Sequence, residues 1–189
     1  MDLIEILGVA FGLWSVWLTV KENVWCWPIG IINILFFMVM FANAKLYADF
    51  LLQVIFLVLS FYGWYFWVHP KSGKEKVPVT IMNLANRAFT FGTFIGGTVV
   101  MGYLLSTYTD ASVPYWDSST TVMSIIAQFL MSRKKLECWA IWITADVIDT
   151  GIYLYKELYL TSILYLVFLG LAIVGLLAWR KSWKSAKTA

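Results

Sequence analysis

Two aspartates, Asp146 and Asp149, interrupt an otherwise apolar and aromatic segment, "LECWAIWITADVIDTGIYLYKELY", at residues 136–159. A carboxylate inside a membrane is costly, and it usually faces a protein interior or a water-filled cavity where it has a function. At helical spacing the two acids share one face with three aromatic residues. The full stripe is Trp139, Trp142, Asp146, Asp149 and Tyr153. This face predicts a binding site; the competing interpretation is that the acids pair with buried hydroxyls or amides and only fix helix packing.

A second polar stripe precedes this segment, at spacings of four, three and four residues. It consists of Asp117, Thr121, Ser124 and Gln128. Hydroxyl side chains also hydrogen-bond helices to one another in membranes, so a packing role is weighed evenly against a binding role. If the two helices adjoin, a polar wall and an aromatic, acidic wall would face one cavity. In the first half of the chain, Asn33 and Gln53 are the candidate amides inside apolar segments.

These residue types favour a small, flat, polar ligand with a positive charge. Indole and phenol faces stack on flat rings and attract cations, and nearby carboxylates add to that attraction. Asp, Asn, Gln and Thr can hydrogen-bond sugar hydroxyls. Two neighbouring carboxylates in a dry site do not ionise together easily, and an organic cation would relieve their repulsion. The sequence has no Gly-rich phosphate loop, nucleophile elbow or metal-ligand cluster, so we expect no catalysis, cofactor or metal ion.

The elements that position these residues are predicted to be membrane helices. The 189 residues are 61% hydrophobic and 13% charged, whereas a soluble domain averages about 45–50% apolar and about 25% charged residues. Only helices satisfy their own backbone groups in lipid as single segments. Seven apolar segments are predicted, of which the fifth is short and polar at its start: 4–20, 25–43, 47–68, 82–108, 118–132, 136–155 and 159–179. The first is interpreted as a permanent span, because the residues around it lack the basic charge of a signal peptide.

Basic residues predict the orientation of these segments. If the N-terminus lies outside, twelve of the fourteen Lys and Arg residues fall on the inner side, in agreement with the positive-inside rule. The twelve are Lys21, Lys71, Lys74, Lys76, Arg87, Arg133, Lys134, Lys135, Arg180, Lys181, Lys184 and Lys187. Lys45 and Lys156 fall outside, where "YTDASVPYWD" carries acidic charges alone. We therefore expect seven spans with a cytoplasmic C-terminus.

An internal repeat divides the chain into two halves. A shift of 112 residues superposes the middle of each half without a gap. The matched pairs include Cys26 with Cys138, Trp27 with Trp139, Tyr47 with Tyr159, Gly63 with Gly175 and Trp67 with Trp179. Despite this match, Trp25, Trp27 and Trp179 are interpreted as residues of the membrane interface, because they lie near segment ends.

The repeat predicts an all-α membrane protein in which two parallel three-helix units are joined by a linker helix, a 3+1+3 arrangement. The first repeat would cover 1–68 and the second 117–180. Residues 69–116 would hold an inner loop, the linker helix and an outer loop, and 181–189 a basic cytoplasmic tail. Parallel repeats of this kind characterise transporters that bind substrate near the midplane between the halves.

Five motifs give nearly the whole chain a resemblance to the bacterial nicotinamide riboside transporters, the Pnu (PnuC-type) family with a SWEET-like fold. They are "VKENVWCWPIG", "AKLYAD", "YWDSSTTVMSIIAQ", "LECWAIWITADVIDTGIYLYKELYLTSILY" and "GLLAWR". The resemblance implies a facilitator (uniporter) in the inner membrane, with uptake driven by a cytoplasmic kinase that phosphorylates the vitamin. It also implies that six motif positions line the vitamin site: Trp139, Trp142, Asp146, Thr121, Ser124 and Gln128.

Several alternatives remain open at this point. The same scaffold could carry thiamine or riboflavin, because fold does not decide the ligand. A seven-helix ligand sensor or adaptor would belong to a different class, but the inner loops are short for a signalling partner. Proton-coupled transport through Asp146 or Asp149 is a further alternative to uniport. The aromatic outer faces permit a homo-oligomer such as a trimer as readily as a monomer, and no nucleic-acid partner is expected.

Overall fold

A computed structural model describes residues 3–70, 76–109 and 112–188 of the chain. These residues form seven α-helices and no β-strand. The helices are α1 (Leu3–Val20), α2 (Cys26–Asn43), α3 (Tyr47–Val68), α4 (Leu84–Tyr108), α5 (Pro114–Ser132), α6 (Glu137–Tyr155) and α7 (Tyr159–Thr188). Lys71 and Lys74, which contribute to the predicted charge asymmetry, lie outside the described residues, as does Asp110 of the predicted outer loop.

The seven helices follow the predicted segments, with two differences. Helix α5 begins at Pro114, before the predicted start at 118, because proline is well suited to the first turn of a helix. Helix α7 continues to Thr188, through the segment predicted to be a tail. That segment contains three lysines and two alanines and no Gly or Pro, so it can continue the helix.

The helices differ in how well they suit a membrane by composition. Five of them, α1 to α4 and α7, are long and apolar enough to cross a bilayer. Helices α5 and α6 fall outside that group, and they are the two that carry the predicted polar and acidic stripes. They carry these polar groups toward other helices: α5 packs against α3, α4 and α6, and α6 packs against α5 and α7.

The helix contacts follow the two halves of the chain. In the first half α1 packs on α2 and α2 on α3; in the second, α5 packs on α6 and α6 on α7. The halves meet through two further contacts, α3 with α5 and α1 with α7. Helix α4 packs against α5, and most of its residues are exposed.

Four turns between helices repeat at the predicted offset of 112 residues. The non-glycine residues with positive φ are Glu22 at 54°, Lys45 at 58°, Lys134 at 49° and Glu157 at 59°. Glu22 follows α1 and Lys134 follows α5, while Lys45 follows α2 and Glu157 follows α6. Left-handed backbone is uncommon for such side chains, so its recurrence at matched positions indicates that both halves use the same turn geometry.

Four tryptophans pack together at the end of the bundle where α1, α3, α5 and α7 approach the Glu22 and Lys134 turns; we call it the tryptophan-rich end. Trp27 meets Trp67 edge-on at 5.4 Å between ring centroids, and Trp139 meets Trp179 edge-on at 5.5 Å. Trp67 and Trp179 then contact each other at 5.9 Å. The interface assignment is therefore wrong for Trp27 and Trp179, which are buried, whereas Trp25 is exposed as expected.

Two matched glycines make room for this packing. A Cβ at Gly175 would lie 2.6 Å from carbons of the Trp139 ring, and a Cβ at Gly63 would overlap the Trp27 ring. Neither ring could keep its position beside an alanine. The same Trp–Gly contact thus occurs once in each half.

Candidate functional site

The predicted stripe on α6 faces the protein interior. Asp146 is 5% exposed and Asp149 is 9% exposed, and Ala145 and Ile152 are buried on the same side. Val147, on the opposite side of α6, is exposed. Because the acids are the costly groups to place in lipid, their burial inside the bundle is the arrangement that the sequence predicts.

Asp149 faces polar groups from α5 and from the end of α6. The Thr120 hydroxyl lies near its carboxylate and donates to the Asp117 backbone oxygen at 3.2 Å, and the charges of Asp117 and Lys156 also act on Asp149. Lys156 lies just past α6 and donates to both carboxylate oxygens of Asp117, at 3.1 and 3.3 Å. We call this side of the bundle the Lys156 end. The ion pair joins the two walls that were predicted to face one another.

The carboxylate of Asp146 has fewer polar neighbours than that of Asp149. No described residue donates a hydrogen bond to its carboxylate, and Asp149 acts on it as a like charge. The Thr150 hydroxyl bonds to the backbone oxygen of Asp146 at 2.6 Å, not to its carboxylate. A buried carboxylate with so few partners is a group whose hydrogen bonds a ligand could supply.

Tyrosines from two helices adjoin the acids. Tyr153 of α6 stacks on Tyr165 of α7, with 5.1 Å between ring centroids and 25° between planes. Asp146 and Asp149 both act electrostatically on the Tyr165 hydroxyl. Asp49 of α3 also senses the charge of Asp117, so a fourth carboxylate belongs to this region.

The predicted α5 stripe is placed at the border of the buried face. The buried polar residues of α5 are Ser118, Ser119, Thr120 and Ser132, while Thr121, Ser124 and Gln128 are half-buried. The Thr121 hydroxyl bonds to the Asp117 backbone oxygen at 2.8 Å. Gln128 reaches α3, where its amide nitrogen lies 3.5 Å from the Ser60 hydroxyl.

The remaining predicted residues have different surroundings. The Asn33 amide donates to the Gly8 backbone oxygen at 2.7 Å and so ties α2 to α1. Gln53 is half-buried in α3. Trp139 belongs to the tryptophan packing described above. The indole nitrogens of Trp139 and Trp142 are buried and have no hydrogen-bond partner among the described residues.

Sequence reasoning missed four residues around the acids: Thr120, Lys156, Tyr165 and Asp49. Thr120 was passed over because its neighbour Thr121 fits the stripe spacing better. Lys156 lies beyond the apolar segment and meets Asp117 at a separation of 39 residues. Asp49 lies at the start of the third apolar segment and Tyr165 inside the seventh, and their spacing from Asp146 and Asp149 along the chain gives no signal for either.

The described concave regions lie away from Asp146 and Asp149, which are buried. Two concave regions, of about 430 and about 370 Å³, are lined by side chains of α7 and of α3 respectively. Leu177 and Arg180 belong to the first region, and Phe61 and Trp64 to the second. Neither includes a residue of the predicted stripes.

Comparison with known proteins gives a consistent result over the whole chain. The family described as "Nicotinamide mononucleotide transporter" matches residues 2–181. The "Nicotinamide riboside transporter PnuC" of Escherichia coli (strain K12) is 29% identical over 204 residues, which cover 95% of this chain and 85% of that protein. The "Riboflavin/roseoflavin transporter RibM" of Streptomyces davaonensis is 24% identical over 179 residues, covering 93% of this chain and 83% of that protein.

A solved structure gives the same result for the fold. It is described as "Crystal structure of the Vitamin B3 transporter PnuC", and it superposes with a TM-score of 0.76 at 22% identity. The match covers 96% of this chain and 82% of that chain. The two chains therefore share one helical fold.

Proposed function

The chain belongs to the nicotinamide mononucleotide transporter family, and on that premise we propose that it mediates facilitated uptake of nicotinamide riboside across a bacterial inner membrane. Transport would be uniport, driven by a cytoplasmic kinase that phosphorylates the vitamin and so keeps its free concentration low. The relatives reported above are transporters, and this chain is not an enzyme.

The proposed substrate is inferred from the buried carboxylates on α6. Nicotinamide riboside has a flat pyridinium ring with a positive charge and a ribose with three hydroxyls. Asp146 and Asp149 would offset that charge, and Trp142 offers an aromatic face and an indole N–H that has no partner in the described part of the chain. We propose these three residues as the centre of the vitamin site.

The charge of the region also ranks the competing substrates. Nicotinamide mononucleotide carries a phosphate, whose negative charge would be repelled by Asp49, Asp117, Asp146 and Asp149. Lys156 is the one cation that acts on these acids among the described residues, and it is already paired with Asp117. Riboflavin, the cargo named for the Streptomyces relative, is neutral and gains no charge attraction from the carboxylates. Thiamine is a cation and is the closest competitor on this criterion.

A wider set of side chains completes the proposed site. The second half would contribute Trp139, Tyr153, Thr121, Ser124 and Gln128, and the first half Asn33 and Gln53. The Gln128 side chain extends from α5 to Ser60 of α3, so it could contact a ligand held between the halves. Alanine substitution of each residue, followed by binding measurements, would separate contacts with the vitamin from helix packing.

Uptake by purified protein in liposomes tests the function. Labelled nicotinamide riboside, nicotinamide mononucleotide, thiamine and riboflavin are supplied outside the liposomes, and the accumulated label is followed in time. We expect uptake of nicotinamide riboside only, up to equal concentrations on both sides. Uptake of none of the four compounds would contradict the proposed transport function. Preferential uptake of the mononucleotide would contradict the expected repulsion of its phosphate by the acids.

The same liposomes distinguish uniport from proton-coupled transport. In a uniporter, a pH gradient across the membrane leaves the final distribution of nicotinamide riboside equal on both sides. If Asp146 or Asp149 carries a proton with the substrate, an inward proton gradient drives accumulation above equality. Enclosing a riboside kinase and ATP in the liposomes should raise total uptake without any gradient, which tests the proposed link to the kinase.

We further propose the 3+1+3 arrangement, with repeats at 1–68 and 117–180, a connecting region at 69–116 and a basic tail at 181–189. The matched left-handed turns and the matched Trp–Gly contacts support it. In this arrangement the tryptophan-rich end lies at the cytoplasmic face, the N-terminus outside and the C-terminus inside. Reporter fusions at the C-terminus and after Lys45 should give opposite locations.

Assembly of copies into a trimer is part of the same proposal. Helix α4 supports it, because α4 contacts α5 and otherwise exposes large apolar side chains such as Phe89 and Phe91. These faces suit either lipid or another copy of the chain. Mass measurement of the protein in a lipid nanodisc decides between one copy and three.

A further inference from the structure

Lys134 is the most deeply buried charged residue among the described side chains, and the proposed vitamin site does not use it. Its side chain is 2% exposed at the tryptophan-rich end. The ammonium nitrogen donates to Glu22 at 2.9 Å and lies 4.4 Å from the centroid of the Trp67 ring. Glu22 is more accessible, with 21% of its side chain exposed.

The ion pair joins equivalent positions of the two halves. Glu22 and Lys134 are 112 residues apart, which is the offset of the repeat. Each residue follows the first helix of its half and has a left-handed backbone conformation. The two halves therefore present opposite charges from the same turn, and the charges meet where the halves meet.

The tryptophans beneath the ion pair also meet across the two halves. Trp67 of α3 and Trp179 of α7 are equivalent positions and contact each other. Each indole N–H donates to a backbone oxygen of the other half, Trp67 to Ser132 at 3.2 Å and Trp179 to Thr19 at 3.0 Å. The ion pair, the Trp67–Trp179 contact and these two hydrogen bonds thus join the halves at this end, where Arg133 of the second half also donates to the Tyr62 hydroxyl of the first.

We propose that Glu22 and Lys134 close the transport pathway at the tryptophan-rich end, and that their ion pair breaks when substrate leaves there. This inference rests on the proposed transport function, because a carrier must open to each side in turn. Separation of the halves exposes Lys134 to water, where it no longer needs Glu22. In the closed form it does need Glu22, because a buried charge without a partner is strongly unfavourable.

Removing the partner of Lys134 should therefore favour the open form. Glu22→Gln keeps the shape of the side chain and leaves the ammonium group buried without a counter-charge. Cys138 can report the opening, because it is a free thiol, completely buried next to Trp139. Cys26 is replaced by alanine in every protein of the test, because the Lys134 charge acts directly on its thiol and would change its reactivity for another reason.

The experiment measures the rate at which N-ethylmaleimide modifies Cys138 in protein held in lipid nanodiscs without substrate. We expect Glu22→Gln to raise the rate at least about tenfold over the parent protein, because it removes one member of a buried pair. The double change Glu22→Gln/Lys134→Met should return it to within about threefold of the parent, because no charge is then left without a partner. Glu157→Gln is the matched control: it removes an exposed acid from a left-handed turn at the Lys156 end and should leave the rate unchanged.

Equal rates in all four proteins would overturn the inference, and so would a double variant that is modified as fast as Glu22→Gln. If Glu22→Gln fails to fold, the exchanged pair Glu22→Lys/Lys134→Glu carries the test. If Cys138 in the exchanged-pair protein is modified as slowly as in the parent, the result supports closure by the ion pair. A rate tenfold faster than in the parent overturns the inference. The labelling needs no vitamin, so a failure of the proposed transport function shows separately, as absence of uptake by the unaltered chain.

Discussion

The two ends of the helical bundle differ in how far the halves have diverged. At the tryptophan-rich end both halves use the same Trp–Gly contact, and the equivalent Trp67 and Trp179 contact each other. Toward the Lys156 end, the second half alone carries Asp146 and Asp149, where the first half has Ile34 and Phe37. The difference separates scaffold from proposed chemistry: the contacts that both copies retain hold the halves together, and the acids that one copy adds form the centre of the proposed vitamin site.

The largest effect on binding should come from Asp146, an acid at a position where the first half has Ile34. Asp146→Asn should weaken nicotinamide riboside binding by about a hundredfold, because hydrogen bonds and charge interactions with an ionised group are worth roughly 1.5–3 kcal/mol. Insertion into the membrane should be unaffected. Binding to purified protein is measured by calorimetry, with Glu157→Gln as the matched loss of an acid. Unchanged affinity in Asp146→Asn would move the site away from α6.

The scaffold should respond equally in both halves. Gly63→Ala and Gly175→Ala should each lower the free energy of unfolding by about 2 kcal/mol, because the added methyl group overlaps a buried tryptophan ring. Thermal unfolding in detergent provides the measurement. Gly92→Ala and Gly151→Ala are the controls, since a Cβ at either position meets no atom within 4 Å. A large effect in one half only would contradict the equivalence of the two contacts.

Asn33 tests whether the first half also contributes to binding. Asn33→Ala removes the hydrogen bond to the Gly8 oxygen and should cost about 1 kcal/mol of stability. We expect its effect on nicotinamide riboside affinity to be well below that of Asp146→Asn. Both quantities can be obtained from one preparation, by thermal unfolding and by calorimetry. If Asn33→Ala weakens binding more than Asp146→Asn does, the first half supplies the main contacts.

The smallest predicted effect concerns charge at the Lys156 end. Lys156→Met should raise the affinity for cationic nicotinamide riboside by about threefold, since a partly exposed charge contributes less than about 1 kcal/mol. Neutral riboflavin should show no such change. Competition binding with both compounds measures the ratio directly. Equal changes for the two ligands would indicate that Lys156 acts through packing and not through its charge.

The sequence predicts the helices and the direction of the acid stripe because both follow from the cost of polar groups in lipid. Asp146 and Asp149 could face only the interior, and they do. The burial of Trp27 and Trp179 was not predicted, because a tryptophan near a helix end suits the membrane interface and a packed core equally well. Their match at the repeat offset, together with Gly63 and Gly175, was the available signal.

Contacts between distant segments could not be predicted in the same way. Lys134 reads as one of several basic residues on the inner side, and only its position in three dimensions pairs it with Glu22. Asp117 was assigned to the polar stripe of α5, and only the packing of the helices pairs its carboxylate with Lys156, which follows α6. Spacing along one helix defines a face, but the partner of that face depends on how the helices pack.

The segment before α4 is joined to the second half by a short set of bonds. Thr80 donates its backbone N–H to the Lys134 oxygen at 3.0 Å and accepts from the Leu136 N–H at 2.9 Å. The Met82 N–H and the Arg87 guanidinium both bond to the same oxygen of Glu137 at 2.9 Å. These bonds therefore attach α4 to the second half of the chain. If the proposed transport moves the halves against each other, four helices would move together against three, and the smaller body is the half without Asp146 and Asp149.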